Sequence, residues 1–374
     1  MNANVKLLCG ASPPAIHDLD SSLFLDNATS NLSPPPLGAR LDPAGKLEEE
    51  TLRWYSPDLF YPVKIGDVFR SRYQVVGILG YGGYSTVWLC RDLQQHAYVA
   101  LRIFEHDSGH GKRETEIYNH LTTLNSSHTG SFLVRSALDD FQLKSADNSY
   151  QCLVHIPLAM SLFELRNRTV AKVLPENLLK PTLIHILLAL DFLHTEAGII
   201  HTDIQGKNIM LSVEDESILL DFEETERCNP SPCKVIGDRA IYSSRKLGIP
   251  KVHGRPVLSD FGEARFRSQV GTRWEDTQPL IYRALEVLSR ISWNEKIDIW
   301  NLGVLGHLFY ARDSEKNNSD THHLVEMIAV LGPPPKDMLQ KSNYAMKFFD
   351  IDALEKLEDN LQGPQQDLFF CFMR

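Results

Sequence analysis

Asp203 and Asn208 lie five residues apart in the run His201-Thr-Asp203-Ile-Gln205-Gly-Lys207-Asn208, directly after the apolar pair Ile199-Ile200. Phosphoryl transfer asks a protein for a carboxylate that orients and deprotonates the attacking hydroxyl, and for oxygen ligands to the cations that neutralise phosphate charge. Asp203 suits the first role and Asn208 the second. Asp260, in Val257-Leu-Ser-Asp260-Phe261-Gly262, offers a further oxygen ligand, so Mg2+ is the expected metal. A similar run, Leu219-Leu-Asp221-Phe-Glu223, lacks the glycine and lies farther from the remaining downstream motifs, so Asp260 is preferred.

Such chemistry needs a nucleotide site. Gly80-Tyr-Gly82-Gly83-Tyr-Ser85-Thr-Val87 is suited to covering phosphates, because glycine lets backbone N–H groups approach without an intervening Cβ. Taken alone it reads more readily as a plain hairpin turn. A dinucleotide-binding loop would open a helix and a Walker loop would end in Gly-Lys-Ser or Gly-Lys-Thr, whereas here a strand, Thr86 to Cys90, follows. Downstream come Tyr282-Arg-Ala284-Leu285-Glu286-Val287 and Asp298-Ile-Trp300. Each piece is weak by itself; five in this order are specific.

The elements that must position these residues change character along the chain. β-branched and apolar residues from Val68 to Phe104 predict three strands, with Tyr73–Leu79 and Thr86–Cys90 flanking the glycine-rich turn and Tyr98–Ile103 as the third. Helical spacing then takes over, in Arg113–Leu124, Leu178–His194 and Ile297–Tyr310. Strands followed by helices predict an α+β fold with two unequal lobes. Residues 1–54, rich in Ser, Pro, Asn and Asp near the start, are expected to be a disordered leader. The lobes are expected over 55–158 and 159–374, with an insertion near 212–256 read mostly as an exposed loop.

The 374 residues are 43% hydrophobic, enough to bury a sizeable core, and no run of about 18 apolar residues predicts a membrane span. The net charge of −10 disfavours direct nucleic-acid binding and suits basic protein partners. Six scattered cysteines give no zinc-site spacing. A monomer is expected.

The match is closer than motif spacing alone. Tyr61-Pro-Val-Lys-Ile-Gly-Asp-Val68, Ser85-Thr-Val-Trp-Leu89, His201-Thr-Asp203 and Tyr282-Arg-Ala-Leu-Glu-Val-Leu288 together resemble the SR-protein kinases (SRPK-like), in a style similar to fungal members. The resemblance covers roughly Tyr55 to Arg374. It implies a bilobal protein-kinase fold and ATP-dependent phosphorylation of serines in Arg/Ser-rich splicing factors, in cytoplasm and nucleus. By position it implies that ATP lies against Leu79, Gly80, Gly82, Gly83, Ser85, Val87 and Ala100. It makes His155 the gatekeeper and Ile156 to Leu158 the adenine-binding hinge. It pairs Glu114 with the cation of the third strand.

Three departures bear on activity. Arg102 stands where the strand-three lysine belongs, and a guanidinium is larger, planar and differently aimed. Gln205 stands where these kinases carry a lysine against the transferred phosphoryl group, and Lys207, two residues on, is a candidate substitute. The chain stops at Phe369-Phe-Cys-Phe-Met-Arg374, before the family's final helix. The sequence therefore supports two readings: an active kinase with Asp203, Lys207, Arg102 and Glu114 as its catalytic set, or an impaired kinase fold that serves as a binding scaffold.

Overall fold

The structure is a computed structural model that describes residues 38–145, 148–237, 239–250, 254–270, 276–306, 308–313, 315–342 and 344. Expectations for residues 1–37 and for the chain end beyond 344 lie outside the described residues.

One antiparallel sheet of six strands builds the N-terminal lobe. Its strands are β1 (Val68–Phe69), β2 (Tyr73–Tyr81), β3 (Ser85–Asp92), β4 (Ala97–His106), β5 (Asp139–Ser145) and β6 (Asn148–His155), in spatial order β1-β2-β3-β4-β6-β5. Alternation along β4 sends Val99, Leu101 and Ile103 into one core and leaves Ala100 and Arg102 on the opposite face. Helix α1 (Gly109–Thr123) starts at Ser108, whose hydroxyl accepts from the Gly111 N–H, and it buries Glu114, Ile117 and Tyr118.

Past the linker Ile156-Pro157, the chain forms β7 (Leu158–Ser161), α2 (Leu162–Arg168) and α3 (Glu176–Phe192). A capping box of Ser161 and Glu164 starts α2. The helical stretch Glu176–Ala197 is long and apolar enough to cross a membrane, yet Ile186, Ala189, Leu190, Phe192 and Leu193 on it lie in the lobe's core. Gly198, at φ +63°, ends it. Short strands β8 (Ile199–Ile200) and β9 (Ile209–Ser212) then bracket the loop that carries Asp203.

The insertion is not an exposed loop, which corrects the sequence expectation. It holds α4 (Ser217–Cys228) and a hairpin of β10 (Cys233–Ile236) and β11 (Arg239–Tyr242). Ile218, Leu219 and Phe222 on one face of α4 pack with Val76 and Leu89 of the sheet, Leu247 of the insertion and, at the edge, Val213 at the insertion's start and Ala159 of the other lobe. A Cβ on Gly77 would come within 2.9 Å of the Phe222 ring, so the glycine is what admits the helix. Lys246 bonds Glu164 of α2 at 2.9 Å, and the Arg245 N–H donates to the Ile78 carbonyl at 3.1 Å. Cys233 and Tyr242 of the hairpin join the core on the far face of the sheet. The insertion thus belongs physically with the first lobe and braces it against the second. Phe222→Ala should cost about 3–5 kcal/mol of unfolding free energy in urea titration. A loss below ~0.5 kcal/mol would mean that α4 is dispensable to the fold.

The expected leader boundary at residue 54 also shifts. Residues 39–54 are fastened to the insertion hairpin: the Leu41 N–H donates to the Cys233 carbonyl, the Cys233 N–H to the Ala39 carbonyl, Lys234 pairs with Glu50, and the Ser244 N–H donates to Glu48. Burial pushes the Glu49 carboxyl up to about 7, against a backbone hydrogen bond and the Arg239 charge. A carboxyl raised on folding stabilises the docked segment most at low pH, and that contribution fades as pH rises through 7. Amide protection of residues 47–54, corrected for intrinsic exchange, should be greater at pH 6 than at pH 8. Glu49→Gln should remove the difference.

β12 (Pro256–Leu258) joins β9 and β7 in a small sheet, and β13 (Arg265–Phe266) pairs with β8. The second lobe continues through α5 (Leu285–Leu288), α6 (Lys296–Gly303) and α7 (Asp320–Leu331). The helix expected to run to Tyr310 ends at Gly303. Phe309 instead folds back with its ring stacked on Trp300, centroids 6.2 Å apart.

Candidate active site

Arg102 sits on β4, in register with Val87 on one side and Leu153 on the other. Its Nη1 donates to both carboxylate oxygens of Glu114 at 3.0 and 2.9 Å, and its Nε donates to the Ser85 hydroxyl at 2.9 Å. The same fork reaches Asp260, Nη1 to Oδ1 at 3.3 Å and Nη2 to Oδ2 at 3.5 Å. Glu114 is fully buried, and burial pushes its carboxyl up to about 7 against the Arg102 charge. Burial also works to raise Asp260, but the Arg102 charge and hydrogen bonds outweigh it and hold that carboxyl below its usual value. The guanidinium therefore keeps the pairing with α1 that a lysine would make, and adds a grip on the metal-ligand candidate. Asp221 of the competing run lies exposed on α4, far from this chemistry in role and setting.

The loop between β8 and β9 brings Asp203 and Asn208 together. The Asn208 Nδ2 donates to the Asp203 Oδ2 at 2.7 Å and to the Asp203 carbonyl at 2.9 Å. Gln205, by residue type a lost cation, donates its Nε2 to both Asp203 carboxylate oxygens at 2.8 and 3.0 Å. Burial, and next the Asp260 charge, push the Asp203 carboxyl up to about 7, against these neutral donors. A carboxyl near that value is poised to take a hydroxyl proton.

Asp298 of α6 holds this loop, a role its place in the sequence did not reveal. Its Oδ2 accepts from the His201 N–H at 2.8 Å and its Oδ1 from the Thr202 N–H at 2.7 Å, while His194 Nε2 lies 2.8 Å from Oδ2. The Ser259 N–H donates to the Asn208 carbonyl at 2.8 Å, which sets Asp260 beside the loop. Thr202 and Asp260 both adopt left-handed backbone, φ +67° and +69°, strain held where the reactive groups meet.

Two observations fit Mg2+ and a nucleotide. The side-chain oxygen of Asn208 carries no hydrogen bond among the described residues, and Asp260 is held ionised: two hard oxygen ligands. A Cβ built on Gly80 meets nothing within 4 Å, so open space lies beside the loop where phosphates would run. Ala100 is buried on the cleft face with Leu79 and Val87 half-buried, and Ile156-Pro157 joins β6 to Leu158 at the start of β7, as an adenine hinge requires. His155 is buried, and its imidazole is held well below its usual pKa, so the gatekeeper is neutral. Mg-ATP bound here would supply the phosphoryl group and further charge neutralisation. The chain's own residues fix α1 against β4, and they would hold the phosphates and offer Asp203 to the hydroxyl proton.

The glycine-rich loop is fastened from both sides. Trp54 Nε1 donates to the Gly83 carbonyl at 3.3 Å, and the Trp54 ring stacks on Tyr84. Tyr84 stacks on His110 of α1 with centroids 3.7 Å apart, and His110 lies 3.0 Å from Glu263, just past Asp260-Phe-Gly. None of these contacts is written in the glycine spacing itself. Trp54→Ala is expected to speed nucleotide dissociation about three- to ten-fold, the equivalent of roughly 1 kcal/mol of lost contact. Stopped-flow release of a fluorescent ATP analogue measures it. Lys207, the candidate substitute cation, is exposed and rests its Nζ 5.4 Å from the Phe163 ring of α2.

Comparison with known proteins agrees with this geometry. Residues 73–244 match the protein kinase domain family. A serine/threonine protein kinase of Aspergillus fumigatus is 42% identical over 356 residues, spanning 89% of this chain and 86% of that protein. The serine/threonine-protein kinase SRPK of Physarum polycephalum is 28% identical over 85% of this chain and 80% of its own. Mouse SRSF protein kinase 3 is 35% identical over 46% of this chain and 31% of its own length. The chain belongs to the serine/threonine protein kinases, and its likeness to the SRPK kinases is more distant.

Proposed function

We propose that this kinase transfers the γ-phosphoryl group of Mg-ATP to serines of basic, Arg/Ser-rich proteins, and so acts on mRNA splicing in cytoplasm and nucleus. The observation that carries the catalytic half is the assembled constellation: Asp203 bonded to Asn208, Asp260 beside them, and the Arg102–Glu114 pair closed. The substrate half rests on the named relatives and on a net charge of −10, which attracts basic chains.

One observation favours a second reading. Arg102 grips Asp260 as well as Glu114, so metal binding must compete with a guanidinium, and a kinase so held is an impaired one that acts as a scaffold. Incubation with Mg-ATP and an Arg/Ser-rich peptide, against the same peptide with lysine for arginine, separates the two. Transfer that requires the arginines supports the first reading. ATP binding with no transfer above an Asp203→Ala control supports the second.

A further inference from the structure

Two cations share one aromatic ring at the rim of the catalytic loop. The Lys207 Nζ lies 5.4 Å and the Arg166 Cζ 5.3 Å from the Phe163 centroid. The Phe163 N–H donates to the Gly206 carbonyl at 2.9 Å, which fastens the start of α2 to the loop between Asp203 and Asn208. The carboxylates nearby are engaged elsewhere. Glu164 accepts from Lys246 and from the Ser161 N–H, and Asp203 accepts from Gln205 and Asn208. Among the described residues neither Arg166 nor Lys207 has an ion-pair partner, and the Arg166 Nε is buried without a hydrogen bond. Arg166 and Asp203 also share a neighbourhood: burial raises the buried Tyr282 phenol to about 12, and the Arg166 charge then opposes that rise while the Asp203 charge adds to it.

A substrate hydroxyl presented to Asp203 carries its neighbours along an extended chain at ~3.3 Å per residue, so side chains two or three positions away lie about 7–10 Å from the acceptor, and Lys207 stands on the same loop as Asp203. The cations waiting there are unneutralised, and the ring beneath them restricts their positions. We propose that Arg166 and Lys207 form a substrate subsite that takes an anionic side chain, carboxylate or phosphate, a few residues from the phosphoacceptor. The proposal rests on the reading of Asp203 as the group that meets the acceptor. It narrows the substrate class to segments of mixed charge, basic overall with an acid beside the acceptor. An arginine at that same position is repelled.

The test uses the full chain and one serine peptide in an arginine-containing frame, with alanine, glutamate, phosphoserine or arginine at each flanking position in turn. Both kcat/KM and binding by fluorescence anisotropy are measured. Glutamate or phosphoserine at one flank should improve on alanine about ten-fold, the scale of one charge-assisted hydrogen bond, and arginine there should be worst. A response to phosphoserine alone assigns the site to phosphate; an equal response to glutamate assigns it to either anion. Lys207→Glu and Arg166→Glu should each reverse the preference, read as a ratio within each variant. Equal binding of all four peptides, or arginine best at every flank, overturns the subsite. An anionic preference in binding with no transfer to any peptide keeps the subsite and removes the kinase-activity reading instead.

Discussion

Arg102→Ala is expected to lower unfolding free energy by about 3–5 kcal/mol and to weaken ATP binding in the same molecule. The guanidinium is the charge between a fully buried Glu114 and a half-buried Asp260, and no other cation makes an ion pair with either among the described residues. Its removal leaves Glu114 to be protonated or to draw α1 away from β4, and either outcome loosens the lobe that holds the nucleotide. Arg102→Lys should behave differently. An ammonium group lacks the fork that spans both carboxylates, so it keeps Glu114 and releases Asp260. The expected result is a stability loss near 1 kcal/mol with tighter Mg2+-dependent ATP binding, checked by urea titration and calorimetry at two Mg2+ concentrations. If Arg102→Ala melts within ~1 kcal/mol of the parent, the pair is not what holds α1 in place.

Asp203→Ala is expected to slow phosphoryl transfer by about 10²- to 10⁴-fold while ATP affinity changes less than about two-fold. The carboxylate touches Gln205 and Asn208 and none of the groups assigned to the nucleotide's base or phosphate loop. Stability should hold or rise slightly, because a carboxyl raised by burial is costly to keep ionised in the folded state. Gln205→Lys is the complementary change. It places a cation beside Asp203, where charge develops on the transferred group, and should increase the rate. Single-turnover measurement with saturating ATP separates both effects from binding. A variant lacking Asp203 that keeps more than a tenth of the parent rate would remove the residue from the role of base.

Much of the site was legible because its parts are short, local and tied to fixed roles. Asp203, Asn208 and Asp260 meet as their motifs require, and glycine spacing placed the phosphate loop between two strands. What escaped was tertiary. Polar composition around Cys228 reads as loop, yet Ile218, Leu219 and Phe222 make a three-residue apolar stripe at helical spacing that was there to be found. The Asp-Phe run at Asp221 is set aside as a ligand site for want of a glycine, yet it holds an informative residue, Phe222, buried against Gly77. Trp54, Tyr84 and His110 act through stacking across more than fifty residues, and no local pattern encodes that. Gln205 was visible as a missing charge but not as a donor to Asp203, since side-chain direction is absent from residue type.

The fastening of the first lobe by the insertion has a consequence for the order of synthesis. Strands β1 to β6 are complete once His155 has been made, but the helix and hairpin that cover them end only near Leu247. At ~5–20 residues per second, the growing chain carries that sheet with Val76, Leu89 and Trp88 incompletely covered for on the order of ten seconds. For that interval the nascent lobe is a client for chaperones, and slowing elongation between the two points should raise aggregation.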